Sequence, residues 1–258
     1  MNLPICMLGL TTMLVTTAPM LGRAETLVRV EGTEFVLTTA EGVTLRSADL
    51  QGATLKIRIA GRDIPVGVER VEEDADAVGG RVVLHHFVVR NENGITVDLC
   101  EPDAEGRSLG FPVPEGRSGF ELTCTSGAIG KCIRWGYRLW EDSLGGPPLQ
   151  TLHQACVRMV RADYGGDGQT MTRDGIPIHV YDRFGVRPAR RNIAMAFEAA
   201  WGADGALCVA HTRVPDKISL EQLGARYPRL RSHLGPVVCT EDDALRNPKA
   251  LLFNWSAR

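Results

Sequence analysis

The chain has few aromatic residues, almost no net charge and few of the short motifs that identify enzymes. Aromatic side chains make up 6% of its 258 residues, and the formal net charge is -2. A chain so close to neutral creates no strong overall field, so nothing global argues for nucleic acid or an anionic membrane as a partner. It has no His-Glu-x-x-His zinc motif and no phosphate-binding glycine loop. We therefore expect no nucleic-acid partner, no metal and no cofactor.

Residues 1–24 are expected to be a signal peptide. Leu3 to Leu21 is a largely apolar run without a charged side chain, and Gly22-Arg23-Ala24 offers small residues before a cut after Ala24. The run lacks the usual basic residue at its start. The alternative is a transmembrane anchor, but several threonines and a proline make the run a poor span. The expected product is a periplasmic or secreted chain with no transmembrane anchor after processing.

The cysteine count supports export. Cys6 lies in the expected signal peptide, and an even number of six remains. An even count in an exported chain indicates disulfides. The six cysteines allow 15 pairings, among which the sequence does not choose; they are Cys100, Cys124, Cys132, Cys156, Cys208 and Cys239. Because no Cys-x-x-Cys occurs, neither a redox motif nor a zinc ribbon is supported.

The first third of the chain is expected to be a β-rich domain over residues 25–100. Thr54 to Ile59 alternates apolar and polar residues, and Val82 to Arg90 is a run of strand formers. Asn93-Gly94 then predicts a hairpin turn. These strands indicate a small sandwich or barrel. Residues 101–120 are rich in glycine and proline, so we predict a connector and a domain boundary there.

The stretch from Leu149 to Gly168 predicts the main helix and the turn that ends it. Leu149, Leu152, Cys156, Met159 and Val160 recur at helical spacing and form one apolar stripe. Gly165 and Gly166 follow and can take the left-handed conformation that ends a helix. Alternating segments farther along predict short antiparallel strands. The overall expectation is an α+β fold, in which the β-rich unit is followed by a disulfide-stabilised unit over residues 121–258.

Two interpretations compete for the turn from Asp163 to Gly168. In the first, it caps the helix and Tyr164 packs its ring on the core. In the second, Asp163 and Asp167 form an oxygen-rich site for a cation or a sugar. The carboxylate spacing of a calcium loop is absent, which favours the first interpretation.

Four aromatic residues are candidates for ligand binding: Trp135, Tyr137, Trp140 and Tyr164. Trp135 and Tyr137 have strand spacing, which would place both rings on one face. They form either a hydrophobic ledge beside the disulfides or a stacking platform for a sugar or a peptide ring. An exposed tryptophan patch would distinguish the two.

The candidates for catalysis are His153, Asp163 and Asp167. Ten residues of straight helix separate His153 from Asp163 by roughly 15 Å, so those two cannot form a dyad. A hydrolase would have to combine His153 with a group from another segment, such as Asp167. In the alternative, His153 hydrogen-bonds the backbone near residues 124–132.

The segment from His153 to Tyr164 resembles the signature of the ADYC-domain family, exported bacterial proteins named after an Ala-Asp-Tyr-Cys motif. Weaker similarity covers residues 124–137, 197–202 and 251–254, so the resemblance extends over roughly the C-terminal half. The family has no established activity. The resemblance therefore implies a family and a location outside the cytoplasm, but no mechanism.

The chain departs from that motif at its fourth position, where Gly165 replaces the family's cysteine. The resemblance also implies a family cysteine in the segment around Tyr227. We hypothesise that one family disulfide joins these two places and is missing here as a unit.

These observations favour an exported, non-enzymatic protein of the bacterial envelope or exterior, with a binding or structural role. A glycan or another protein would be its partner. The alternative is a secreted hydrolase that acts through His153 and Asp167.

Overall fold

The computed structural model describes residues 28–59, 62–116, 119–142, 145–190 and 194–257. The predicted signal peptide, including Cys6, lies outside the described residues. Within the described part of the chain, no helix is both long enough and apolar enough to cross a membrane.

Two antiparallel sheets form the N-terminal part of the protein. The first has three strands in sequence order, β1 (Val28–Glu31), β2 (Glu34–Thr38) and β3 (Thr44–Arg46). The second contains β4 (Thr54–Ile59), β5 (Arg62–Glu73), β6 (Val83–Arg90), β7 (Thr96–Asp98), β8 (Gly110–Glu115) and β9 (Gly119–Cys124). Its order is β4-β5-β6-β8-β9, with β7 also paired to β6. The hairpin turn predicted at Asn93-Gly94 joins β6 to β7.

The alternation predicted for β4 is confirmed, because Leu55 and Ile57 are buried while Thr54 and Lys56 are exposed. Leu55 and Ile57 share a core with Phe35 of β2, Val66 and Val68 of β5, and Phe87 of β6. Both sheets thus contribute to one apolar layer, which is the predicted small sandwich.

Residues 110–115 lie inside the segment predicted to be a connector, yet they form β8 of the larger sheet. β8 contains Pro112 and Pro114, although a proline nitrogen cannot donate a hydrogen bond to a neighbouring strand. Phe111 and Val113 of β8 are buried in a second cluster with Ile133. The division of the chain into domains stays a prediction.

The first helix, α1 (Ala128–Arg134), follows β9 directly. The strand predicted for Trp135 to Tyr137 was wrong. Trp135 caps α1, and Gly136 has a positive φ of 99° that reverses the chain. The physical reason is packing, because Cys132 and Ile133 face two different cores from this short helix.

The main helix, α2 (Leu149–Val160), is present as predicted and buries Leu149, Leu152, Cys156 and Met159. It packs on a four-stranded antiparallel sheet of order β10-β13-β11-β12. Those strands are β10 (Ile178–Asp182), β11 (Ala196–Gly202), β12 (Gly205–Val209) and β13 (Leu252–Ser256). The β11–β12 hairpin pairs Ala199 with Val209. Two short helices precede β13, α3 (Leu220–Arg226) and α4 (Glu241–Arg246), and Ser219 begins α3 with a capping box.

The end of α2 differs from the prediction that Gly165 and Gly166 terminate it. Ala162 takes the left-handed conformation with φ 50°. The N–H of Asp163 donates to the carbonyl oxygen of Arg158 at 2.8 Å, and that of Ala162 donates to Met159 at 3.0 Å. This is the Schellman pattern of a helix C-terminus, with alanine in the place that glycine usually takes.

Three disulfides join the six cysteines as Cys100–Cys124, Cys132–Cys156 and Cys208–Cys239. The predicted disulfide framework is therefore confirmed, and its pairing is defined. Cys132–Cys156 ties α1 to α2, and both of its sulfurs lie in the core of the C-terminal part.

We expect that Cys132→Ala/Cys156→Ala lowers the free energy of unfolding by about 3 kcal/mol, the usual effect of a bridge across a loop of this length. Urea unfolding followed by circular dichroism would measure it. The matched comparison is Cys100→Ala/Cys124→Ala, because both bridges have a sequence separation of 24. The first variant should lose more, since Cys132 and Cys156 are both fully buried. An unchanged unfolding midpoint would contradict the expectation.

Candidate functional site

Tyr164 lies at the centre of the C-terminal core. Its ring stacks on Trp201 with 5.3 Å between centroids, and both side chains are fully buried. Its hydroxyl donates to Glu198 Oε1 at 3.0 Å and accepts the backbone N–H of Arg213 at 2.8 Å. Burial raises the pKa of Tyr164 well above its ordinary value, so the hydroxyl remains protonated. The residue supports the fold and presents no ring to a ligand.

Glu198 and Arg213 form a buried ion pair next to that ring. Arg213 Nη2 and Nε donate to the two carboxylate oxygens of Glu198 at 3.0 Å each, and Asn254 Nδ2 donates at 2.7 Å. Two further N–H groups of the guanidinium donate to the carbonyl oxygens of Met159 and Val160 at 2.8 and 2.9 Å. These hydrogen bonds compensate both charges for the loss of water. Because Glu198 belongs to β11, the pair connects this strand to the last two carbonyl groups of α2.

Asp163 holds the turn after α2 and is fully buried. Its Oδ1 accepts the N–H of Gly166 at 2.8 Å, and its Oδ2 accepts the N–H of Gly168 at 2.9 Å. Arg158 Nη1 donates to the same Oδ2. This geometry favours the cap-and-turn interpretation over an oxygen-rich site. No group of three His, Cys, Asp or Glu side chains suited to a metal ion occurs within the described ranges.

His153 and Asp167 have separate partners. His153 is buried on α2, and its Nδ1 lies 2.9 Å from the carbonyl oxygen of Tyr137, a backbone group shortly after residues 124–132. Burial lowers the pKa of His153, so the neutral ring donates from Nδ1 to that oxygen. Asp167 is exposed and accepts from the hydroxyl of Tyr227 at 2.9 Å. Burial of the tyrosine and the nearby Asp167 raise the pKa of Tyr227 to about 12.

The four aromatic candidates lie in different surroundings. Tyr137 is fully buried and donates to Asp182 Oδ2 at 2.9 Å. Trp140 is half-buried against the cluster around Phe111, and Trp135 is half-buried against the core of α2. With Tyr164 also buried, the four rings do not form one exposed platform.

One hydrolase motif is present in the sequence but lacks the required geometry. Residues 106–110 read Gly-Arg-Ser-Leu-Gly, the spacing of a nucleophile elbow, which places its serine on a turn between a strand and a helix. Here Gly106 belongs to a turn and Gly110 begins β8. The hydroxyl of Ser108 bonds the carboxylate of Asp98. Ser108 is therefore not an elbow nucleophile.

A cleft of about 410 Å³ opens between the start of α1, the end of α2 and the loop before β10; we call it the cationic cleft. Lys131, Arg161 and Arg173 line it, each from a different element. Lys131 and Arg161 make no side-chain ion pair or hydrogen bond within the described part of the chain, and Arg173 only approaches the exposed Asp216 at 4.0 Å. Asp174 is the acidic residue of the lining, and Arg213 forms part of it with its charge bound to Glu198.

A fourth cation, Arg187, stands beside this cleft. Its guanidinium lies over the ring of Trp135, 5.2 Å from the centroid, and Trp135 lines the cleft. The Nε of Arg187 is buried and has no hydrogen-bond partner among the described residues. Burial, together with the charge of Arg190, lowers the pKa of Arg187, although it remains a cation at neutral pH. Arg187 therefore covers one face of the Trp135 ring, so that face is not free to stack on a ligand.

A second cleft of about 360 Å³, the apolar cleft, lies beside the N-terminal end of α2. Its apolar lining includes Val78, Leu149, Leu152, Phe184 and Val186. Glu141 and Asp142 also line it and are exposed.

Reasoning from the sequence missed both clefts. Lys131, Arg161 and Arg173 come from two helices and a loop, so no spacing in the sequence connects them. Arg161 had an ordinary explanation as a cation near a helix C-terminus. The sequence shows that each of these residues is basic, but not that all three line the same cleft.

The buried ion pair gives a direct test of the core. We expect that Glu198→Gln lowers the free energy of unfolding by about 3–5 kcal/mol, because Arg213 is left charged without its counter-ion. Urea unfolding would measure the change. Glu92→Gln, at an exposed position, is the matched control and should stay within about 0.5 kcal/mol of the parent. Equal midpoints for the two variants would contradict the role of the pair.

The geometry at Gly165 supports the hypothesis of a missing disulfide. A Cβ at position 165 would overlap the ring of Tyr227. Gly165→Cys/Tyr227→Cys should therefore form a disulfide under oxidising conditions, whereas Gly165→Cys alone should be destabilised by the overlap. Alkylation without reduction, followed by intact mass, counts the free thiols. Two free thiols in the folded double variant would overturn the hypothesis.

Comparison with known proteins adds a family. No curated protein and no solved structure matches the chain. A family model described as the ADYC domain matches residues 47–215, about two thirds of the 258 residues. The match begins after β3, so it includes the larger N-terminal sheet as well as α2, and extends farther toward the N-terminus than the resemblance identified from the motifs. The chain belongs to the ADYC-domain family.

Proposed function

We propose that this chain is an exported, non-enzymatic protein that binds an anionic ligand in the cationic cleft. The observation that carries the proposal is the set of three cations, Lys131, Arg161 and Arg173, around one cleft of small-molecule size. Two of them have no counter-ion within the described residues, so a ligand can supply it. Carboxylate and phosphate groups are anions that arginine and lysine bind well.

Export is supported by the sequence pattern of residues 1–24 and by three disulfides. Disulfides persist in oxidising compartments and are rare in the cytosol. The proposed location is the periplasm or the exterior of a bacterial cell.

A binding role fits the chemistry of the cleft better than catalysis does. Its lining offers the hydroxyls of Ser126, Thr170 and Thr172, but its described lining residues include neither a histidine nor a cysteine. Within the described residues, none of these hydroxyls hydrogen-bonds the side chain of Lys131 or Asp174. A hydroxyl that is not bonded to a base is a weak nucleophile. These groups suit hydrogen bonding to a polar ligand.

The alternative, a secreted hydrolase that acts through His153 and Asp167, gains no support from geometry. His153 is buried with its Nδ1 on a backbone oxygen, and Asp167 is bound to Tyr227. Neither residue lines the cationic cleft or the apolar cleft.

The proposal is tested by calorimetric titration at low salt with two acidic probes, oligogalacturonate and a poly-glutamate peptide. We expect at least one of them to bind, with an affinity that falls as salt is raised. Lys131→Gln/Arg161→Gln should weaken binding about tenfold, or about 1.4 kcal/mol. Arg90→Gln removes an exposed cation from β6 and should leave binding unchanged. The proposal fails if neither probe binds, or if the double variant binds as tightly as the parent.

A further inference from the structure

We infer that the cationic cleft and the apolar cleft form one groove for an extended polypeptide segment. The segment would carry acidic side chains at one end, a large apolar side chain in the middle and a basic side chain at the other end. This inference rests on the proposed function and names the partner class for the same site.

The two clefts are neighbours, because consecutive residues line them. Trp135 lines the cationic cleft and Gly136 lines the apolar cleft. On the facing segment, Val186 lines the apolar cleft, while Arg187 stacks on Trp135. A Cβ on Gly136 would lie 2.9 Å from Val186 Cγ1, so the two segments touch. These two touching segments separate the clefts, and we call them the ridge; an extended chain that occupies both clefts would cross it.

The apolar cleft can accept an uncharged group despite the arginine in its wall. Arg138 donates to Glu141 and to the carbonyl oxygens of Val78 and Gly79, so its guanidinium is occupied. The apolar side chains of the lining include Leu149, Leu152 and Phe184. Burial of a leucine- or phenylalanine-sized side chain against these residues is favourable, because it removes apolar surface from water.

Charge complementarity orders the segment. Lys131, Arg161 and Arg173 line the cleft on one side of the ridge, with Arg187 beside them. Asp142 lines the cleft on the other side, together with Glu141, which is paired with Arg138. Asp142 has no side-chain ion pair within the described ranges. A ligand that spans both clefts therefore meets cations first, then apolar side chains and carboxylates.

Only a polypeptide readily offers three such groups in a fixed order. An acidic glycan has charges but no large apolar group for the apolar cleft. An anionic lipid has an apolar tail, but that tail would run toward Glu141 and Asp142, where burial of a carboxylate is unfavourable. The hydroxyls of Ser126, Thr170 and Thr172 can bond a peptide backbone as it enters.

The test begins with random nine-residue peptides displayed on phage and selected on the folded, disulfide-bonded protein. We expect enriched peptides to share an acidic, apolar, basic order. A synthetic peptide of that order is then titrated against the parent protein. A permuted peptide with the apolar residue at the acidic end should bind at least about tenfold weaker.

Charge reversal separates specific recognition from a loss of folding. Arg161→Glu should weaken binding of the synthetic peptide about tenfold or more. A peptide with lysine in place of one acidic residue should recover most of that lost affinity for the variant. Phe184→Ala should weaken binding of the synthetic peptide. It should not weaken binding of a second peptide that has alanine at the apolar position. Asp142→Lys should remove the preference for a basic residue. Arg90→Gln should change none of these affinities.

The outcomes distinguish this inference from the proposed function. If oligogalacturonate binds through Lys131 and Arg161 while no peptide order is enriched and Phe184→Ala has no effect, the anion site stands and the polypeptide partner is wrong. Vesicles of anionic phospholipid that bind more tightly than any selected peptide, with the same dependence on Phe184, would likewise overturn it. If no acidic probe or peptide binds, both statements fail.

Discussion

The buried ion pair between Glu198 and Arg213 is the constraint on which the C-terminal part of the structure depends. Two charges removed from water are tolerated only when nearly all their hydrogen-bonding capacity is met. Here that condition brings together β11, the loop after β12, the last turn of α2 and Asn254 of β13. A shift of any one of these elements would leave a charge unsatisfied. The pair therefore specifies one arrangement of helix and sheet, which apolar packing alone does not.

The cationic cleft inherits its geometry from this arrangement. Arg213 lies in its lining, but its charge is committed to Glu198, so the charge available to a ligand comes from Lys131, Arg161 and Arg173. Arg161 directly follows the carbonyls that Arg213 binds, and Lys131 is next to Cys132, which the disulfide ties to α2. Two of the three cations are thus fixed to α2 by covalent or buried polar links. A site on such rigid elements loses little entropy on binding.

Local signals in the sequence predicted local structure well, and failed where distant residues decide. Apolar spacing identified α2, alternation identified β4 and the β11–β12 hairpin, and Ser219 marked the start of α3. The strand predicted at Trp135 was wrong because α1 packs between two cores and Gly136 reverses the chain. The left-handed residue that terminates α2 is Ala162 rather than Gly165, because buried hydrogen bonds hold the alanine in a conformation that it rarely adopts. Both clefts and the disulfide pairing depend on tertiary neighbours, which no spacing in this sequence reveals.

The motif that identifies the family explains the fold rather than the chemistry. Ala162 ends the helix, Asp163 binds the backbone of the turn, and Tyr164 connects the core to the buried ion pair. All three are fully buried, and their polar groups are occupied by the protein itself. A shared motif of this kind implies a shared framework and leaves the ligand unspecified. Differences in binding between proteins with this framework should therefore follow the residues that line the clefts, such as Lys131, Arg161 and Asp142.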